Sequence, residues 1–333
     1  MKVAIIGSKA EDSMENNLKE SFEYLGHEAR IFDIIDLLLV NNKYSILIDK
    51  LLRHYSEFYD HRIFNKLSER IIEYNPDLVI GVYRFIHPHA VDIIKEECHC
   101  PVIHINPDQL TTFELQQVFA SNYDVWFTKD PYIVRFMKDN MKLNAKLYCE
   151  AFNSHKHIKP NISKEEAERK AKIDVMTYGT IYPYRARMLK LVLDAGINLK
   201  IYGVIPHRFY NHSLDKAYQH KYIVGQEKAD FLYGSKIVFN QMHYAEIESV
   251  NCRFFEVNGS GAFQLSDYRP ILKDLLPIDP ELVSFKGIDD GIDKIKYYLA
   301  HPKERYDLAN KIYNYTSTRF SYENLVKFIL SNI

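Results

Sequence analysis

The feature that most constrains the fold of this chain is a regular alternation of short apolar runs with longer amphipathic segments. Lys2 to Gly7 is a buried strand by its pattern, and Asp12 to Gly26 carries apolar residues at helical spacing. Gly26 predicts the end of that helix, and Glu28 to Phe32 resumes as a strand. Continuous apolar strands that alternate with helices are typical of a parallel sheet covered by helices on both faces.

The alternation continues along the chain and is interrupted once, by a polar stretch over residues 153–172 that contains Pro160. In the first half it predicts a largely helical segment over 38–74, strands over 77–82, 101–105, 125–128 and 146–148, and helices over 89–97 and 133–140. In the second half it predicts strands over 174–178, 199–202, 237–240 and 262–265, helices over 185–195, 226–234 and 253–259, and a helical tail over 290–333. We therefore predict an α/β fold with two doubly wound Rossmann-like domains, 1–160 and 170–318, facing each other across a cleft.

Composition excludes several classes of protein. Of the 333 residues, 47% are hydrophobic and 26% are charged, which excludes a disordered or fibrous chain. The 43 Lys and Arg balance 44 Asp and Glu, so there is no basic field of the kind that binds nucleic acid. The first strand lacks the features of a signal peptide, and no apolar run is long enough to form a transmembrane segment. These features predict a cytoplasmic protein.

Three short His and Cys motifs resemble metal sites only superficially. Cys98-His99-Cys100 lacks the usual two- to four-residue gap and has no second pair, and two His pairs, 87/89 and 155/157, lack Cys or carboxylate partners at ligand spacing. No G-x-G-x-x-G motif follows a predicted strand, which disfavours a dinucleotide oxidoreductase. We expect neither a metal site nor a resident cofactor.

The most informative window is residues 248–262. Glu248 and Glu256 lie eight positions apart, the first in a loop and the second in a short helix. A carboxylate facing a cleft can accept two hydrogen bonds from a vicinal diol such as a ribose. Arg253, near the start of that helix, adds a fork of donors suited to phosphate. The spacing of the two glutamates is also compatible with a non-functional interpretation, in which they lie on a solvent-exposed helix face.

Asn251-x-Arg253-x-Phe255-Glu256, followed by Gly261, resembles the signature of the CgeB-like (spore maturation protein) glycosyltransferases, which have the GT-B fold. Four further segments resemble this family: 123–130, 174–179 followed by Arg185, 233–240 and 297–305. The similarity extends from about Tyr123 to the end of the chain.

The resemblance implies a hexosyltransferase-type enzyme that uses a nucleotide diphosphate-sugar as substrate, without a required metal. It assigns the acceptor side to the N-terminal domain and the donor to the C-terminal domain. It also implies that the last helix, 320–333, returns to the N-terminal domain, and the apolar spacing of Leu325, Phe328 and Ile329 agrees. The acceptor, whether glycan, lipid-linked sugar or protein, stays open.

Individual residues take roles by the same resemblance. Glu256 would hold the ribose hydroxyls and Glu248 would lie beside the donor sugar, as in retaining enzymes. Arg185, just after the Gly179 turn, would join Arg253 at the leaving diphosphate, where cations stabilise charge that grows in the transition state.

The remaining donor-side candidates are Asn240, Tyr222, Val224 and Gly225. Asn240, at the carboxyl end of its strand, would hydrogen-bond the donor, and the loop with Tyr222, Val224 and Gly225 is where this fold usually holds the base. Each has an alternative: Asn240 as a strand-end turn former, and Arg185 as a helix-face salt bridge.

Two acceptor or cleft candidates lie in the first half. Gly7 could cradle a phosphate or simply form a tight strand-to-helix turn, and His87 could face the cleft or lie in a surface loop. Two other functions are compatible with the same two-domain fold. One is a sugar-nucleotide epimerase-like enzyme or another non-transferring nucleotide-sugar-binding protein, and the other is a periplasmic-type binding protein. The N-x-R-x-F-E window favours the transferase over both.

Overall fold

The computed structural model describes residues 1–38, 42–206, 208 and 210–333, which divide into two compact units. The first unit contains Met1–Cys149 and Tyr322–Ile333, and the second contains Glu150–Ser321.

The first unit is built on a six-stranded sheet in which every strand pair is parallel. Its strands are β1 (Lys2–Ile6), β2 (Glu28–Phe32), β3 (Leu78–Gly81), β4 (Val102–Ile105), β5 (Val125–Thr128) and β6 (Ala145–Leu147). Its helices up to the division are α1 (Met14–Tyr24), α2 (Lys43–Tyr55), α3 (Glu57–Tyr74), α4 (Pro88–Cys98) and α5 (Pro131–Asp139). The strand order is β2-β1-β3-β4-β5-β6, with Ile5 paired to both Ile31 and Ile80.

The second unit has a five-stranded sheet, also parallel throughout. Its strands are β7 (Ile173–Thr177), β8 (Leu199–Ile201), β9 (Ser235–Asn240), β10 (Gln264–Asp267) and β11 (Ser284–Phe285), in the order β11-β10-β9-β7-β8. Its helices are α6 (Lys164–Ala171), α7 (Pro183–Asp194), α8 (Gly225–Gly234), α9 (Cys252–Gly259), α10 (Leu272–Leu275), α11 (Ile288–Ala300) and α12 (Pro302–Arg319). The inner strands β3, β4 and β5 are buried throughout, and β9 is buried except at the half-buried Lys236, as their apolar runs predict.

The last helix, α13 (Tyr322–Leu330), belongs to the first unit. Its Glu323 carboxylate accepts a hydrogen bond from Ser21 Oγ of α1 at 3.4 Å, and Phe328 packs edge-on against Phe127 with ring centroids 6.0 Å apart. Apolar residues at helical spacing, Leu325, Val326 and Ile329, are buried in the same unit.

The α/β prediction with two parallel, helix-covered sheets is confirmed. The structure breaks the segment 38–74 at Ser56 into α2 and α3, and residues 39–41 of that segment lie outside the described residues. Residues 150–160, which we expected in the first domain, lie in the second unit. The reason is packing: Phe152 N donates to Phe320 O at 3.0 Å, and the Phe152 ring occupies the space where a Cβ on Gly259 would be.

None of the helices in the described part of the chain combines the length and the apolar character that a membrane crossing requires.

Candidate functional site

The carboxyl edge of the second sheet brings the predicted donor residues together. The chain passes from β7 to β8 on one side and then to β9 on the other side of β7, so the strand order reverses beside β7. Loops that follow strands at such a switch point form the ligand crevice of open α/β sheets. The loops after β7 and β9 carry Gly179 and Glu248, and α9 follows with Arg253 and Glu256.

The turn after β7 depends on two glycines. Gly179 has φ +95° and Gly203, in the turn after β8, has φ +106°, a region that residues with a Cβ rarely adopt. A Cβ on Gly203 would lie 2.4 Å from Gly179 O, and a Cβ on Gly179 would lie 3.2 Å from Arg253 Nη1. The glycines therefore let the two turns and the Arg253 guanidinium approach one another closely.

Two arginines hold this turn, in different ways. Arg185 is buried, and its Nη atoms donate to Thr180 O at 2.6 Å and to Thr177 Oγ1 at 3.1 Å. Burial, with Arg253 nearby, lowers the pKa of Arg185 well below its usual value. Arg253 is half-buried and donates from Nη1 to Tyr178 O and from Nη2 to Gln241 O, both at 2.8 Å. Arg185 thus lies beneath the turn, whereas Arg253 links the loops after β7 and β9.

Glu256 does not lie on a solvent-exposed helix face, and both of its carboxylate oxygens accept hydrogen bonds. Its Oε1 accepts from Lys228 Nζ at 2.9 Å, and its Oε2 accepts from the Tyr178 hydroxyl at 2.7 Å. The Lys228 side chain is 1% exposed and that of Glu256 is 12% exposed. Burial alone would raise the pKa of Glu256, but Lys228, His157 and the two hydrogen bonds outweigh it and lower the pKa. The carboxylate is therefore ionised at neutral pH.

Three buried side chains of the second unit have unsatisfied polar atoms. In the part of the chain that the structure describes, both ring nitrogens of His157 and both amide atoms of Gln241 and Asn258 lack hydrogen-bond partners. A His157 ring nitrogen lies within 4.8 Å of a Glu256 carboxylate oxygen. Buried polar groups are nearly always hydrogen-bonded in native proteins, so the unsatisfied His157 ring beside Glu256 indicates a place that a ligand or water completes.

The His157 ring predicts a pH dependence of stability. Burial, and then Lys228, lower its pKa from 6.5 to about 4, so the unfolded chain binds more protons than the folded one between those values. We expect acidification across this range to lower the free energy of unfolding, with His157 contributing about 1.4 kcal/mol per pH unit. Denaturant unfolding of the wild type and of His157→Gln checks this, because buried His104, whose pKa is also lowered to about 4, contributes equally to both. Equal pH slopes in the two proteins would contradict the assignment.

Asn240, which we expect to contact the donor, is hydrogen-bonded to neighbouring side chains at the end of β9. Its buried Nδ2 donates to Asn251 Oδ1 and to Gln264 Oε1, both at 3.1 Å. Asn251 Oδ1 in turn caps α9 by accepting from Phe254 N at 3.2 Å. Asn240 therefore helps to orient the helix that carries Arg253 and Glu256.

The other donor candidates line the same edge. Glu248 is half-buried in the loop that leads to α9. Tyr222 is exposed, and Val224 and Gly225 form the start of α8, where no side chain caps the helix. Gly203 N donates to Lys221 O at 2.7 Å, which places this segment beside the Gly179 turn.

The first-unit candidates have local roles. A Cβ on Gly7 would overlap the Glu15 side chain, and Glu15 Oε1 accepts from Ser8 N at 2.8 Å. The Glu15 side chain therefore fills the space beside Gly7 and accepts from the backbone of the turn. His87 is half-buried at the start of α4, with its ring 5.0 Å from that of His61, and burial lowers its pKa.

Sequence reasoning missed Lys228, Tyr178 and His157 as members of the site. Tyr178 lies one residue before the Gly179 turn, and that position could have drawn attention to it. Lys228 and His157 carry no comparable signal, since each lies in a separate element far along the chain from Glu256.

Comparison with known proteins identifies related sequences. Residues 185–331, which is less than half of the chain, match the family described as glycosyl transferase-like. Spore protein CgeB of Bacillus subtilis (strain 168) is 23% identical over 237 residues, covering 60% of this chain and 72% of that protein.

Solved structures share the whole fold. Sucrose-phosphate synthase (tll1590) from Thermosynechococcus elongatus has a TM-score of 0.72 at 11% identity, covering 99% of this chain and 97% of that chain. Anabaena Alr3699/HepE, solved in complex with UDP-glucose, has a TM-score of 0.66 at 11% identity and covers 100% of both chains. At these identities the likeness establishes the fold alone.

Proposed function

We propose that this CgeB-like glycosyltransferase of the GT-B fold moves a hexose from a nucleotide diphosphate-sugar to an acceptor, with retention of configuration and without a required metal. The glycosyltransferase prediction is confirmed by the family match and the similarity to CgeB. The observation that carries the donor site is the ionised, buried Glu256 beside the unsatisfied ring nitrogens of His157. The UDP-glucose complex of the HepE structure makes a uridine donor the first to test.

Glu256 fits a ribose-binding role by its charge and spare acceptor capacity. Each carboxylate oxygen has one hydrogen bond, to Lys228 or Tyr178, and can accept another from a ribose hydroxyl. His157 is neutral at physiological pH and offers a further donor and acceptor within reach of the same hydroxyls. Lys228 and Tyr178 hold the carboxylate in place.

The diphosphate belongs at the start of α8 and beside Arg253. The first N–H groups of α8 follow Val224, which provides no capping side chain, and the helix dipole favours an anion there. Arg253 is half-buried next to the Gly179 turn, so its charge can stabilise the diphosphate as the bond to the sugar breaks. Arg185 is buried and donates hydrogen bonds to backbone carbonyls of that turn, so its role is to stabilise the turn.

The sugar lies on the Glu248 side, in the loop between β9 and α9. In this arrangement the nucleoside is anchored by Glu256 and the anomeric carbon lies between the diphosphate and Glu248. An acceptor hydroxyl then attacks the anomeric carbon from the face on which the nucleoside diphosphate leaves. The bond from that carbon to the β-phosphate oxygen breaks, the glycosidic bond forms, and the hydroxyl proton passes to the β-phosphate, on which charge grows in the transition state.

A thermal-shift panel of nucleoside diphosphates and their glucose conjugates tests the donor class. Ligand at about 100 times its Kd should stabilise the fold by about 2.7 kcal/mol, which is a shift of several degrees. Nucleoside monophosphates at equal concentration are the matched control. If every nucleotide on the panel left the melting temperature unchanged, the proposed donor site would be wrong.

Metal independence is a separate expectation. Because Arg253 and the start of α8 supply positive charge for the diphosphate, removing divalent ions should change the Kd of the nucleoside diphosphate by less than about threefold, under ~1 kcal/mol. Calorimetry in excess EDTA and in excess Mg²⁺ measures this, and donor turnover in the same two buffers gives a second readout. Binding or turnover that EDTA abolishes and Mg²⁺ restores would contradict the arginine account.

A further inference from the structure

Helix α2 exposes a continuous apolar stripe. Six large apolar side chains of α2 follow one another at intervals of one or three residues, which places them along one side of that helix, and a seventh lies in the first turn of α3. Each is between 41% and 78% exposed. They are Tyr44, Leu47, Ile48, Leu51, Leu52, Tyr55 and Phe58. Soluble proteins seldom expose a contiguous apolar patch of this kind unless something binds there.

The opposite side of α2 is held against the protein by polar contacts. Asp49 is the buried residue of this helix, and its Oδ2 accepts from Arg53 Nε at 2.9 Å. Its Oδ1 accepts from the Tyr59 hydroxyl of α3 at 3.3 Å. A surface helix ordinarily buries its apolar side, so this polar inner face fixes α2 in the reverse orientation.

The exposed charged groups of α2 itself are basic. Lys43, Lys50 and His54 of α2 are exposed, whereas its one acidic residue, Asp49, is buried and paired. Two exposed acids lie close by: Glu57 precedes Phe58 at the start of α3, and Glu114 Oε1 lies 3.6 Å from His54 Nδ1. Apolar residues on one side with lysines beside them are typical of a helix that lies in the plane of an anionic membrane surface.

We propose that α2 docks the protein on an anionic lipid surface, with the stripe in the headgroup boundary and Lys43 and Lys50 against lipid phosphates. A second copy of this chain is a poorer occupant, because a two-fold interface pairs a patch with itself and would bring the lysines of both copies together. This docking is independent of the donor chemistry in the second unit.

Vesicle flotation of the full chain tests the proposal. We expect binding to phosphatidylcholine vesicles that contain phosphatidylglycerol, and weaker binding to phosphatidylcholine alone. Leu47→Gln with Leu51→Gln should weaken binding at least tenfold, since each leucine loses apolar burial in the bilayer. Lys43→Ser and Lys50→Ser should each weaken binding to the anionic vesicles about fivefold.

A matched control is Leu191→Gln with Leu282→Gln, two leucines of the second unit that are 42% and 41% exposed, which should bind like the wild type. Circular dichroism of each variant verifies folding, which exposed substitutions should leave intact. The proposal is overturned if neither vesicle binds, if both bind equally, or if the stripe variant binds as well as the control. It is also overturned if the protein is a dimer in solution that Leu47→Gln with Leu51→Gln converts to a monomer.

Discussion

Glu256→Gln should weaken binding of the nucleoside diphosphate roughly 10- to 150-fold, because a charged hydrogen-bond pair to the ribose is worth ~1.5–3 kcal/mol. The same substitution removes the counter-charge of Lys228, whose side chain is 1% exposed. An uncompensated buried charge costs about 3–5 kcal/mol of unfolding free energy, so a loss of affinity alone would not separate binding from folding.

A double variant makes the separation. Lys228→Met with Glu256→Gln removes both charges, and replacing a buried ion pair by neutral groups of similar volume is often close to neutral for stability. We expect this variant to recover most of the unfolding free energy while its affinity for the nucleoside diphosphate stays low. Calorimetry with the preferred nucleoside diphosphate and denaturant unfolding provide the two readouts.

Glu248→Gln is the control within the same motif. Because Glu248 faces the sugar in the proposed arrangement, the affinity for the bare nucleoside diphosphate should hardly change, while donor turnover falls. If the Glu256 and Lys228 double variant bound the nucleoside diphosphate as tightly as the wild type, the ribose role of Glu256 would be refuted.

The fold was predictable because each part of it leaves a local signal. The strands of a covered parallel sheet are buried on both sides. Strands such as β3 and β9 can therefore be predicted from their apolar runs, without knowing which strands they pair with. The N-x-R-x-F-E window could likewise be identified from the sequence, because Asn251, Arg253 and Glu256 all lie at or in one short helix.

The contacts of the site were not predictable, because they join separate elements. Lys228 meets Glu256 across 28 positions, from a helix whose spacing predicts only which side is apolar. For Arg185, a pattern cannot tell whether a guanidinium faces a ligand or backbone carbonyls, and the structure shows the second. In α2 the pattern predicts an amphipathic helix, but the inward Asp49 decides that the apolar side faces out.

An equally large stability effect is expected at a second buried charge cluster, formed by Arg305, Glu168 and Lys164. Arg305 is 1% exposed and contacts Glu168 twice, Nη1 to Oε1 at 2.9 Å and Nη2 to Oε2 at 3.0 Å. Lys164 Nζ lies 3.5 Å from Glu168 Oε1, and burial lowers the pKa of Lys164 to about 7 although Glu168 opposes the shift. One carboxylate therefore balances two buried cationic groups.

Glu168→Gln should lower the unfolding free energy by about 3–5 kcal/mol, because Arg305 then stays buried without a counter-charge. At roughly 2–4 °C per kcal/mol for a unit of this size, the melting temperature should fall by about 6–20 °C. Glu281→Gln breaks an exposed pair with Lys286 and is the control, with an expected change under about 1 kcal/mol.

Arg305→Met decides the physical cause. It leaves Glu168 paired with Lys164, so if charge balance governs the cluster it should cost less than Glu168→Gln. If packing and hydrogen bonding govern it, the order should reverse, because Arg305 is the larger side chain and also donates to Lys236 O at 3.1 Å. Calorimetric melting of the two variants distinguishes the accounts, and a greater loss in Arg305→Met would contradict the charge-balance account.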